Sequence, residues 1–356
     1  MKKEKEATAA VLMEPEVVET RVFPLPDIGD DDALLRLEAC GMCGTDYELY
    51  YGHIKPRPDA DGRPGYPVIL GHEPVGTIEE IGPEASRLWG VEAGDRVVLG
   101  ATGGLGLTGI STPPSLWGGY AEFMYVSPSA RVFPMSKHVS VRAAATYNAL
   151  ACGFEWAVTL PGLQPGQSIV ILGPGQRGLA SLLAAREAGA AFVGLTGLTS
   201  DGYKLDLARE LGADVVVDAE KEDPVEAIRR AIGEGVDVVV DTTPYATQPF
   251  IDALEMIRRG GTVVIAGLKG GNRLEGFSPD LLREKLATVK GAGSPADPAV
   301  RSAIELIESG KYPMERLVTH AFSLEEAAEA LVTLASKHPE RKAINVIMTP
   351  HGSQVA

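Results

Sequence analysis

The chain has 356 residues, of which 45% are hydrophobic and 23% charged, and its formal net charge is −15. That length exceeds the usual limit of a single core, so two domains are expected. The acidic balance argues against nucleic acid and against anionic membrane surfaces as partners.

Three cysteines cannot make a disulfide framework and suit a reducing compartment. The start, Met1-Lys2-Lys3-Glu4-Lys5-Glu6, is charged and lacks the apolar stretch of a signal peptide. No apolar run approaches the roughly 18 residues that span a bilayer. A cytoplasmic protein is the expectation.

From Ala7 to about Val141 the chain reads as short strands broken by turns. Ala33 to Glu38 and Val75 to Ile81 alternate apolar and polar residues, and Gly/Pro punctuation between such runs favours an all-β, barrel-like unit. Gly100 to Gly119, rich in glycine, threonine and proline, reads as an irregular loop.

After Pro165-Gly166 the pattern changes. Ser168 to Leu172 is a short apolar run, followed by a glycine turn and a helix from about Gly178 to Ala188. Further buried strands are expected at Phe192–Leu195, Val215–Val217, Val236–Val240 and Thr262–Ile265. Helices are expected between them at Lys204–Leu211, Val225–Ile232 and Phe250–Arg258. Repeated β-α units of this kind build a parallel, doubly wound sheet. Helices near Val300–Glu308 and Leu324–Leu334 and a strand over Ala343–Ile347 close the chain.

Three local contexts suit a catalytic metal. They are Gly41-Met42-Cys43-Gly44-Thr45-Asp46, Gly71-His72-Glu73 and Leu150-Ala151-Cys152-Gly153-Phe154. Two thiolates and an imidazole leave a fourth tetrahedral position open, as at a catalytic rather than a structural zinc. A lone cysteine is more often inert and buried, so the weight lies on the combination. Cys40 completes a C-x-x-C spacing with Cys43, but no second pair exists and it reads as a packing residue.

Gly173-Pro174-Gly175-Gln176-Arg177-Gly178 is a dinucleotide fingerprint between an apolar strand and a helix. Its glycines allow a tight turn and close approach to a pyrophosphate at the helix N-terminus. Gln176 belongs to the same turn. Arg177 could pair with a phosphate or face solvent. A metal followed by a nucleotide suggests an alcohol or carbonyl oxidoreductase.

These features, with Gly94-Asp95-Arg96-Val97 and Gly118-Gly119-Tyr120-Ala121-Glu122 in the same order, resemble the zinc-dependent alcohol dehydrogenases of the medium-chain dehydrogenase/reductase superfamily. The likeness runs from about Ala9 to Met348. It implies a β-rich GroES-like catalytic domain over 1–153 and 297–356 and a Rossmann domain over 154–296. It also implies homodimers or homotetramers.

By the same resemblance Cys43, His72 and Cys152 would be zinc ligands. Asp46 would accept the other N–H of His72 and fix its tautomer, and Glu73 would stay near the metal without being a permanent ligand. Thr45 would take the substrate proton. Relatives often carry a histidine three residues further on; here that residue is Glu48, so the outer proton path runs through Glu48, His53 or water. Glu155 and Trp156 also depart from the small residues common after the third ligand. Many relatives hold a second, structural zinc on four cysteines in the region matching Gly100–Gly119, which has no cysteine here. One zinc per chain is therefore expected.

Enzymes using NAD place an Asp or Glu about twenty residues beyond the fingerprint to bind ribose hydroxyls. Gly197 occupies that place, while Thr199, Ser200 and Lys204 could hold a 2′-phosphate. Asp201 would instead serve the ribose if the loop folds back; the balance tips to NADP. No basic cluster stands out for an anionic substrate, which favours a neutral alcohol, polyol, aldehyde or ketone. A zinc-free quinone or enone reductase of the same superfamily and a non-catalytic nucleotide-binding redox sensor are the alternatives; neither needs both Thr45 and the metal triad.

Overall fold

The computed structural model describes residues 6–56, 58, 65–100, 106–335 and 339–350. The charged start, apart from Glu6, and the first part of the expected Gly100–Gly119 loop lie outside them. The chain divides into two compact units, one built from 1–148 and 304–356 and the other from 149–303.

The first unit is β-rich. A seven-stranded, mainly antiparallel sheet joins Ala33–Gly41, Glu73–Ile81, Arg96–Gly100, Phe123–Val126, Arg131–Pro134, Val318–Phe322 and Asn345–Met348. A three-stranded sheet joins Glu6–Glu14, Val17–Pro24 and Val68–Ile69. One apolar cluster forms where Val11, Ile69, Leu116, Tyr120 and Val346 lose their exposure together. Another gathers Leu35, Ile78, Val97 and Met124. The return of the chain's end to this unit is seen directly, since Ile347 pairs with Gly41 and Met348 with Cys40.

The second unit is a six-stranded parallel sheet. Across it the strands run Val215–Asp218, Phe192–Gly197, Ser168–Leu172, Val236–Asp241, Ile257–Ile265 and Thr288–Gly291. Counted along the chain that order is third, second, first, fourth, fifth, sixth, so the topology reverses between the strands ending at Leu172 and Asp241. Every residue of Ser168–Leu172 is buried, as a strand between helical layers requires. The α/β class with a β-rich first unit and a Rossmann-type sheet is therefore what forms.

Several elements differ from expectation. The helix expected over Phe250–Arg258 spans Gln248–Met256 and stops because Ile257 turns extended and enters the sheet opposite Val236. The helix at Leu324–Leu334 begins as a 3-10 turn over Leu324–Glu326, capped by Ser323 and Glu326, before Ala327–Leu334. The edge strand Thr288–Gly291 had no clear signal, being short and largely exposed. Among the described residues no helix is long and apolar enough to cross a membrane.

Candidate functional site

Cys43 is the N-cap of the short helix Gly44–Tyr50, with extended backbone at φ −131 and ψ 178. Asp46, three residues on, returns a carboxylate oxygen to the Cys43 backbone N–H at 2.8 Å. That contact satisfies one donor at the helix start and fixes the direction of the Cys43 side chain. His72 enters from a tight turn in which Gly71 has φ +94, and a side chain at Gly71 would strike the Tyr120 ring at 2.6 Å. Strand and helix thus bring Cys43 Sγ within 3.1 Å of His72 Nε2.

Behind the ring, His72 Nδ1 lies 3.5 Å from Asp46 Oδ1, and neither atom has another hydrogen-bond partner although both are buried. Burial alone would lower the His72 pKa; the charges of Cys43 and Asp46 overcome it and raise it well above the ordinary value. Donor atoms of Cys43, His72 and Glu73 all lie within 4.8 Å of one another. The environment therefore suits a cation.

The donor chemistry fits zinc. A tetrahedral ion holding sulfur at about 2.3 Å and nitrogen at about 2.0 Å would separate them by roughly 3.5 Å, a few tenths more than observed. Glu73 is fully buried, and its Oε1 accepts from the Asn148 side-chain amide at 2.5 Å. Cys152 is buried on the helix Tyr147–Phe154, one turn after Asn148. Residues four apart on a helix share a face. Cys40, by contrast, is a fully buried thiol whose pKa burial pushes well up, as for a packing residue.

Thr45 lies half-buried on the same short helix as Asp46. Glu48 is buried, and its carboxylate meets His53 Nδ1 at 2.8 Å while the His53 side chain is 55% exposed. The pair leads from the interior to solvent because the helix ends at Tyr50 and the chain doubles back, His53 donating its backbone N–H to the Glu48 carbonyl.

In the second unit the fingerprint joins the strand Ser168–Leu172 to the helix Gln176–Glu187. Gly173 has φ +99, and Gly175 is an N-cap with no side-chain cap. The turn thus carries the N-terminus of a twelve-residue helix, the end that favours an anion. Arg177 stacks its guanidinium over Trp156 at 5.3 Å from the ring centroid. Trp156 donates its ring N–H to the Gly293 carbonyl, and Glu155 accepts from the Ala296 backbone N–H. Both belong to a π-helical turn, Glu155–Thr159.

The sequence reading missed Thr242, Thr243 and Lys269. Thr242 donates to the Leu172 carbonyl at 2.9 Å, and Lys269 bonds the Thr243 carbonyl and pairs with Asp241 at 2.7 Å. They stand beside the fingerprint where the strand order reverses, the usual place for a ligand in such sheets. Their one sequence signal was position, just after the fourth parallel strand.

Two of the residues expected to hold a 2′-phosphate engage carboxylates of the chain itself. Thr199 donates its hydroxyl to Asp218 and its backbone N–H to Glu220, each at 2.8 Å. Lys204 pairs with Asp201 at 2.7 Å. Ser200 lies between them in the 3-10 turn Thr199–Asp201 and is exposed.

Residues 29–137 match the alcohol dehydrogenase GroES-like domain, and residues 178–309 match the zinc-binding dehydrogenase domain. The chain is 40% identical over 367 residues to the "probable alcohol dehydrogenase" of Mycobacterium tuberculosis (strain ATCC 25618 / H37Rv), covering 96% of this chain and 98% of that protein. It is 29% identical to sorbitol dehydrogenase of Bacillus subtilis (strain 168), over 91% and 92% of the two chains. A protein of Sinorhizobium meliloti 1021 assigned as a zinc-binding dehydrogenase, solved bound to NADP, superposes with a TM-score of 0.82 at 28% identity and covers 97% of this chain and 99% of its own.

Proposed function

The chain belongs to the zinc-type alcohol dehydrogenases of the medium-chain dehydrogenase/reductase superfamily, and from that premise we propose that it moves a hydride between a small neutral alcohol or polyol, or its carbonyl product, and a nicotinamide dinucleotide. The observation that carries the reading is the buried Cys43–His72 pair, with donor atoms 3.1 Å apart and Asp46 behind the ring. Cys43, His72 and Cys152 would hold one zinc per chain. A bound zinc supplies Lewis acidity to the alcohol or carbonyl oxygen.

Asp46 holds the His72 ring in one orientation. Asn148 holds the Glu73 carboxylate, which we place outside the permanent ligand set. Thr45 receives the substrate hydroxyl proton, and Glu48 with His53 carries it to solvent. The turn of Gly173, Gly175, Gln176, Arg177 and Gly178 binds the pyrophosphate, with Trp156 setting the Arg177 side chain. The likeness to sorbitol dehydrogenase supports a polyol-sized substrate, and the enzyme would act in the cytoplasm as a homodimer or homotetramer.

The test is the zinc content of purified protein by plasma mass spectrometry, with Cys43→Ala alongside, followed by turnover on neutral alcohols and polyols with each nicotinamide cofactor. One zinc per chain, lost in the variant, together with turnover, is the expected result. Protein free of zinc after expression in zinc-rich medium would overturn the reading and favour a zinc-free reductase.

A further inference from the structure

We infer that Asp218 and Glu220, on and just after the strand beside the fingerprint strand's neighbour, select a dinucleotide without a 2′-phosphate, so that this chain prefers NAD(H) to NADP(H). The inference rests on the nucleotide site proposed above and reverses the preference read from the sequence.

The usual ribose-binding carboxylate is missing for a steric reason. A Cβ at Gly197 would lie 2.7 Å from Pro174 in the fingerprint turn and 2.9 Å from Leu205. No acidic side chain can stand there without displacing the turn. The sheet supplies the charge from the adjoining strand instead, because Asp218 is the register partner of Gly197.

Asp218 is fixed, not merely nearby. Its carboxylate accepts from the Thr199 hydroxyl at 2.8 and 3.0 Å, from the Glu220 backbone N–H at 3.1 Å, and pairs with Lys221 at 2.7 Å. Glu220 accepts the Thr199 backbone N–H at 2.8 Å. Two of the three side chains expected to hold a 2′-phosphate, Thr199 and Lys204, are therefore already engaged with carboxylates, Lys204 being 13% exposed against Asp201, and Ser200 is a neutral hydroxyl on the exposed turn. Three carboxylates here face two ammonium groups, and Lys221 is largely exposed. A phosphate monoester brings about −1.5 to −2 of charge near neutral pH. It would meet net negative charge and find Thr199 and Lys204 already committed to carboxylates, whereas ribose hydroxyls can donate to carboxylates.

Binding separates this inference from the reading beneath it. Purified protein is titrated with NADH and with NADPH, followed by nicotinamide fluorescence and by calorimetry, at low and high salt. The expected result is NADPH binding at least about tenfold weaker than NADH, with the gap narrowing as salt rises. The double variant Asp218→Asn/Glu220→Gln should reduce the gap to roughly threefold or less. Should that variant fail to fold, Glu220→Gln alone, on an exposed turn, should move the ratio the same way. Equal or tighter NADPH binding by the unaltered protein overturns the inference, as does a ratio unchanged in the variants. Binding of neither dinucleotide removes the nucleotide site itself and the inference with it.

Discussion

Gly175 and Gly178 lie three residues apart in one turn, yet the structure gives them opposite sensitivities to a single added methyl. At Gly178 a Cβ would sit 1.9 Å from the Gly173 carbonyl oxygen and 3.0 Å from its carbon, whereas at Gly175 nothing lies within 4 Å. Gly178→Ala must therefore separate helix from turn by at least about 1 Å in a close-packed interior. Over-packing of that kind costs roughly 1–3 kcal/mol. At about 2–4 °C per kcal/mol, the thermal midpoint should fall by roughly 2–12 °C. Gly175 has φ −63 and ψ 176, which alanine adopts freely. Its entropic gain of about 0.4–1 kcal/mol is offset by glycine's advantage over alanine as an N-cap. Gly175→Ala should then melt within about 2 °C of the parent. Its methyl projects into the space the pyrophosphate would use, so NADH binding should weaken at least about tenfold. Thermal melting of cofactor-free protein and a fluorescence titration with NADH give both readouts. A Gly175→Ala protein that binds NADH normally, or one that melts as low as Gly178→Ala, would refute the reasoning.

Asp46→Asn keeps an oxygen for the Cys43 backbone N–H but removes the charge behind His72, so zinc affinity in competition with a chromophoric chelator should drop about 10- to 100-fold with little change in melting; Asp46→Ala should lose the cap as well, about 1 kcal/mol. Glu48→Gln should lower kcat for alcohol oxidation tenfold or more, with added imidazole restoring part of it; a kcat unmoved by the substitution would remove Glu48 from the proton path. Burial works to raise the Glu38 carboxyl, but hydrogen bonds from Arg96 and Thr77 and the Arg96 charge hold it below the usual value. Because the folded value lies below the unfolded one, Glu38 adds stability above the unfolded pKa and loses it as pH falls through the folded pKa. Glu38→Gln should cost about 2 kcal/mol at pH 7 and flatten the acid limb of the melting curve below about pH 4.3; an unaltered slope there would count against the pairing.

The parallel sheet was legible because each central strand is an unbroken apolar run, such as Ile169 to Leu172 or Val238 to Val240, buried on both faces. Ile257 to Gly261 was not, since Arg258, Arg259 and Gly260 are exposed and only the pairing of Ile257 with Val236 makes that stretch a strand. The π-helical turn at Glu155–Thr159 had no signal either. It arises where Leu160 donates to the Glu155 carbonyl and Leu163 to that of Val158, a five-residue spacing that no side-chain pattern announces. Cys43 and His72 stood out in the sequence because Gly41 and Gly44 flank Cys43 and Gly71 precedes His72, both in irregular backbone. The acceptors around Thr199 did not, because Asp218 and Glu220 are distant in sequence and become neighbours through strand register.

The seven residues of Gly44–Tyr50 show why the proposed metal site reads so compactly in the sequence. Their N-cap is a proposed ligand, and their third residue caps that N-cap's backbone while its other oxygen faces the second ligand's ring. Their fifth residue pairs with the histidine that reaches solvent. A carboxylate at Asp46 thus stabilises the helix start and orders two donors at once, so local folding and ligand geometry depend on one side chain. Metal binding would be linked to the same equilibrium, since an ion that binds only the folded arrangement stabilises it by mass action. A helix too short to be stable by propensity alone is then held by its cap at one end and by burial of Leu49 and Tyr50 at the other. That division explains how the cap can serve the site without exposing the core to the consequences of changing it.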